Sequence, residues 1–81
     1  SPSEMEGLIN DYKPFIKATI SKTLKKYIQS DDSSLTTGMM GFHEAVLSYE
    51  PAKGSFISYA QIVIRNRLID EVRKESNQIK H

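Results

Sequence analysis

Eighty-one residues, a net charge of +1 and no cysteine define one domain with one modest core, and exclude a disulfide framework or a thiolate metal site. His43 and His81 are the only histidines, so metal catalysis lacks ligands and neither a metal nor a cofactor is expected. No apolar run approaches the roughly 20 residues a membrane span needs and no signal-peptide pattern opens the chain, so a cytoplasmic location is expected.

The opening Ser-Pro-Ser, residues 1–3, reads as a cloning scar and is assigned no function. Ser3 followed by Glu6 forms a capping-box pattern, so a first helix is expected from about Glu4. Leu8, Ile9, Tyr12, Phe15, Ile16, Ile20, Leu24 and Tyr27 then recur at helical spacing. Pro14 either kinks this helix or splits it into a short lead-in and a longer second piece. Gln29 to Ser34 is a polar loop whose Ser and Asp residues suit an N-cap.

A second predicted helix runs from about Ser34 to Tyr49, with Leu35, Met39, Phe42, Val46 and Tyr49 in one apolar stripe. Gly38 and Gly41 weaken it by propensity and point to close packing against a neighbour. Glu50-Pro51 ends it, because proline disfavours the helical region for the residue before it. The last helix is expected from Ser55 or Phe56 to about Lys74. At about 100° per residue, Ile57, Ala60, Ile64, Leu68 and Val72 share a sector that should face the core. Phe56, Tyr59, Ile62, Val63, Asn66 and Arg73 fall on the other side. The tail, 75–81, is polar and expected to fray. The whole reads as an all-α protein, a compact bundle of three to four helices.

Charge is unevenly placed along this bundle. Lys13, Lys17, Lys22, Lys25 and Lys26 lie in the first third, and Arg65, Arg67, Arg73, Lys74 and Lys80 near the end. Ser30 to Glu50 holds no Lys or Arg but carries Asp31, Asp32, Glu44 and Glu50. A small domain needs one apolar face for its core, so a second face with aromatics and neighbouring cations suits single-stranded nucleic acid. Taken alone, Phe56 and Tyr59 also read as core aromatics, and Arg65, Arg67 and Arg73 as a solvated face with local pairs such as Asp70 with Arg73 or Lys74. His43 reads as an exposed helix residue. Glu44, Glu50 and Asp70 lack the second catalytic group or phosphate loop that an enzyme would need. No catalytic residue is assigned, and the protein is not expected to be an enzyme.

The order of the whole block weighs on these readings. Gly41-Phe42, Ala45-Val46, Tyr49, Pro51, Lys53-Gly54, Phe56, Ser58-Tyr59-Ala60, Ile64-Arg65, Ile69-Asp70 and Arg73 resemble conserved region 2 of the bacterial sigma-70 family. The likeness covers about half the chain strongly, and Tyr12 to Tyr27 more loosely. Phe42-His43-Glu44-Ala45 and Arg67-Leu68-Ile69-Asp70 look most like the sigma-I branch of Bacillus and clostridia.

That resemblance implies one region 2 domain over residues 1–81, the N-terminal part of a longer sigma factor whose −35-reading regions lie downstream. It implies docking on the β′ clamp helices of RNA polymerase core through the helix from Leu35, with Leu35, Thr36, Thr37, Met39, Met40, His43 and Glu44 as contact positions. It implies capture of the non-template strand of the promoter −10 element by the last helix. Phe56 and Tyr59 would stack on unpaired bases, Asn66 would reach a base edge, and Lys53, Arg65 and Arg67 would neutralise phosphates. Ile62 and Val63 stand where housekeeping members carry a tryptophan pair, which implies weaker melting and stricter promoter choice. Thr36 and Thr37 replace the Gln and acidic residue common at the polymerase contact. The resemblance also implies control by an anti-sigma factor, membrane-anchored in the sigma-I branch, whose cytosolic segment binds this domain. No small-molecule substrate is implied. The rival reading is a helical interaction module in which Phe56, Tyr59, Ile62 and Val63 form one apolar groove for a partner helix, without DNA contact.

Overall fold

The computed structural model describes residues 2–79, which fold into α1 (Pro2–Asp11), α2 (Lys13–Leu24), α3 (Ser33–Ser48) and α4 (Phe56–Ile79), with a 3-10 turn over Pro51–Lys53. The all-α bundle expected from the sequence is present. α3 is the central element, packed against α1, α2 and α4.

Each boundary has a local cause. Pro14 splits the first predicted helix, because proline belongs in a first helical turn, where no N–H is needed. Tyr12 separates α1 from α2, and Pro14 sits in the opening turn of α2. α1 begins at Pro2, earlier than the capping pattern suggested. α2 stops at Leu24 and not at Tyr27: Lys25 turns left-handed at φ 57° and its N–H bonds back to the Ser21 carbonyl. Ser21 Oγ also donates to the Lys26 carbonyl at 2.7 Å. Tyr27 is thereby turned out to 83% exposure, while Ile28, unmarked in the sequence reading, is buried. At the start of α3 the Asp32 carboxylate accepts from the Ser34 N–H at 2.9 Å and its hydroxyl at 2.6 Å, an N-cap of the expected kind. These bonds hold the Asp32 carboxyl below its ordinary range, with the Lys26 ammonium assisting.

The reversal between α3 and α4 is built from Pro51, which ends α3, and from Gly54, whose φ of 94° lies where side chains are disfavoured. The Tyr49 hydroxyl donates to the Gly54 carbonyl and ties the turn to the end of α3. Ser55 then opens α4, its hydroxyl accepting from the Ser58 N–H at 3.2 Å.

Ile16, Ile20, Ile28, Leu35, Phe42, Ala45, Ala60, Ile64 and Leu68 form the buried core. Gly38 lies against Ile16 and Ile20 of α2, and Gly41 against the backbone of Ile64 in α4. The close packing expected of these glycines is present, and each one serves a different neighbour. The expected core sector of α4 needs correction. Ala60, Ile64 and Leu68 are buried, but Ile57 and Val72 are 40% and 49% exposed. Phe56, Tyr59 and Val63, expected on the opposite face, pack against the core instead. Edge-on contacts from Phe42 and Tyr49 to Phe56, with ring centroids 5.7 and 5.4 Å apart, draw that flank of α4 inward.

Candidate nucleic-acid interface

An aromatic run leads from the interior to the surface at the α3–α4 reversal. Tyr12 and Phe42 stand 5.2 Å apart, Phe42 meets Phe56, Phe56 meets Tyr49, and Tyr49 lies 5.7 Å from Tyr59. Tyr59 is the outer end of this run. Its hydroxyl shares a 2.6 Å hydrogen bond with Ser48, and Lys53 Nζ lies 5.1 Å over its ring. Half-buried and held at two points, Tyr59 offers a fixed aromatic with a cation beside it.

Beyond Tyr59 the outward side of α4 carries Ile62, 54% exposed, and exposed Arg65 and Asn66. At about 100° per residue Tyr59, Ile62 and Asn66 form one stripe, flanked by Arg65 on one side and Arg67 on the other. The sequence-assigned group is thus divided. Lys53, Tyr59, Ile62, Arg65 and Asn66 line the outward side, whereas Phe56 and Val63 lie half-buried behind it. Of the four side chains that the rival reading gathers into one groove, Phe56, Tyr59 and Val63 are half-buried and Ile62 is exposed.

Arg67 faces α3. Its Nε donates to Glu44 Oε2 at 2.6 Å, and the two side chains are 39% and 48% exposed. One turn further along, Thr37 donates to the Glu71 carboxylate. Two polar links therefore join α3 to α4 on one side of the molecule. Among the described residues, Asp70 pairs with neither Arg73 nor Lys74; the ion pair that Arg67 forms reaches between helices.

Of the positions assigned to polymerase contact, Thr36, Met40, His43 and Glu44 are exposed and share the outer side of α3. Thr37 is half-buried at the Glu71 link. Leu35 is buried and Met39 half-buried, so both lie on the packing side. Leu47, 71% exposed, joins the outer side although the sequence reading passed over it. Its spacing of seven from Met40 was the available signal. Ser48 and Glu71 were also missed, since a polar side chain announces no partner on another helix.

This bundle, with a capped central helix, a Pro/Gly reversal and an aromatic-ended last helix, is a sigma region 2 architecture. The family model for Sigma-70 region 2 matches residues 8–78, and the chain belongs to that family. It is 41% identical to RNA polymerase sigma factor SigI of Bacillus subtilis over 70 residues, covering 85% of this chain and 28% of that protein. It is 40% identical to SigI7 of Acetivibrio thermocellus over 73 residues, covering 89% and 31%. To FliA of Pseudomonas aeruginosa it is 38% identical over 76 residues, covering 89% and 30%. The chain thus spans less than a third of the length of each. The SigI likenesses agree with the branch read from Phe42–Ala45 and Arg67–Asp70. Among the described residues, no helix is long and apolar enough to cross a membrane.

Proposed function

We propose that this domain acts in the cytoplasm in transcription initiation, docking on RNA polymerase core and capturing the non-template strand of the −10 element. It works by binding and catalyses nothing. The observation that carries the reading is Tyr59, fixed by Ser48 and Lys53 at the end of the aromatic run and followed by Ile62, Asn66 and Arg65. A flat ring beside cations suits an unpaired base and its phosphate, and an amide two turns along suits an adenine edge. Phe56 and Val63 support Tyr59 from behind. Ile62 stacks less well than an aromatic would, which favours stricter promoter choice over strong melting.

The exposed side of α3, with Thr36, Met40, His43 and Glu44, is the proposed seat for the β′ clamp helices. Leu35 and Met39 hold that helix in place from within. An anti-sigma factor covering either surface would keep the domain inactive, and the cytosolic segment of a membrane-anchored one is the proposed form.

The test begins with this chain, purified core polymerase and an authentic sigma factor as competitor. Saturable binding that the competitor displaces is expected. A labelled single-stranded −10 oligonucleotide is then added to the complex. Tyr59→Ala should weaken its capture by about 1–3 kcal/mol, whereas Tyr59→Phe retains the ring. Absence of core binding, or capture indifferent to Tyr59→Ala, would overturn the proposal.

A further inference from the structure

We infer that Ser48, the last residue of α3, is a positioning residue for strand capture, accepting a hydrogen bond from the Tyr59 hydroxyl and so holding that ring ready for a base. This deepens the proposed function and rests on its assignment of Tyr59 to the unpaired strand. Two hydrogen bonds meet at Ser48. Its Oγ lies 2.8 Å from the Glu44 carbonyl and 2.6 Å from the Tyr59 hydroxyl. A serine hydroxyl carries one proton and two lone pairs, whereas a carbonyl only accepts. The Ser48 proton therefore goes to Glu44, and Tyr59 is the donor in the shorter bond. Tyr59 commits its one hydroxyl proton to α3 and has none to offer a phosphate.

The direction of that bond decides what orders the ring. A tyrosine at the surface of a helix can change rotamer, and stacking on a base would remove that freedom at an entropic cost. The bond from Ser48 to the Glu44 carbonyl closes one helical turn and fixes the Ser48 rotamer. With Ser48 fixed, its free lone pairs set where the Tyr59 hydroxyl must point. The Tyr49 ring, 5.7 Å away, and Lys53 Nζ, 5.1 Å over the ring, complete the setting. A ring ordered before binding leaves less ordering cost to the complex. The acceptor belongs to α3 and the ring to α4, eleven residues on, so neither helix alone produces the arrangement.

The test measures capture of the labelled single-stranded −10 oligonucleotide where the chain saturates core polymerase. Ser48→Ala and Tyr59→Phe remove opposite ends of one bond, so each should weaken capture by about two- to tenfold. The double variant should be no weaker than either alone. Ser48→Thr keeps a hydroxyl and should restore most of the capture lost in Ser48→Ala. In a Tyr59→Ala background, Ser48→Ala should change nothing, a result that a general loosening of the fold would not give. Additive losses in the double variant, a loss that persists in Tyr59→Ala, or no rescue by Ser48→Thr would overturn the inference. So would capture unchanged by Ser48→Ala while Tyr59→Ala weakens it. If Tyr59→Ala itself leaves capture intact, the reading of the site falls first and carries this inference with it.

Discussion

Gly41 shows how one missing side chain sets the distance between two helices. A Cβ there would stand 3.0 Å from the Ile64 Cα and 3.3 Å from its Cγ1, and a backbone atom cannot swing aside as a side-chain tip can. Alanine favours a helix over glycine by about 1 kcal/mol, while overpacking a core costs about 1–3 kcal/mol. The clash should win, so Gly41→Ala is expected to lower the urea midpoint. Gly7 supplies the control: it is also helical but has open space around its Cβ position, so Gly7→Ala should raise the midpoint. If Gly41→Ala stabilises as Gly7→Ala does, the close crossing of α3 and α4 is wrong. The sequence signalled this site through glycines in an otherwise apolar stripe, without saying which neighbour each one met.

At the scale of elements, α3 and the start of α4 were legible because their ends are chemically marked. Asp32 caps one end of α3, Pro51 closes the other, and Ser55 opens α4. The end of α2 was not legible. Lys25 adopts a left-handed cap that its residue type does not announce, and Tyr27 continues the apolar spacing past it. The face of α4 was misjudged for a related reason. Helical spacing orders residues around an axis, but the rotation of that axis is set by contacts from Phe42 and Tyr49, which spacing does not contain.

The Asp32 cap gives the element-scale prediction. Its hydrogen bonds to Ser34 lower the carboxyl below its ordinary value of 3.8. A lowered native value means stability present above the unfolded value and lost as pH falls through the native one. Asn at position 32 still offers an oxygen to the Ser34 N–H but does not titrate. Melting temperature should therefore fall further for wild type than for Asp32→Asn between about pH 5 and about pH 2. Parallel melting curves for the two proteins over that range would show that the cap has no titrating part.

For the whole molecule, the fold turns an uneven chain into two unlike surfaces. A net charge of +1 gives little general attraction to polyanions, so DNA affinity must come from where the cations stand. α3 holds no Lys or Arg, and its one acidic residue, Glu44, is paired with Arg67. The outward side of α4 sets Arg65 against an amide and an apolar stripe. Phosphate and base contacts should therefore separate by substitution. Arg65→Ala should weaken oligonucleotide binding in the polymerase complex by a similar factor for every sequence and lower the salt slope by about 0.7. Asn66→Ala should leave the slope alone and narrow the gap between the preferred −10 sequence and its single-base variants, at the position it reads, by about 1–3 kcal/mol. Measuring both variants on the same oligonucleotide panel at several salt concentrations provides the check. If Arg65→Ala changes sequence preference, or Asn66→Ala changes the salt slope, the two sides of this stripe do not divide affinity from specificity. The arrangement would then bind DNA in another orientation, with Arg65 at a base edge.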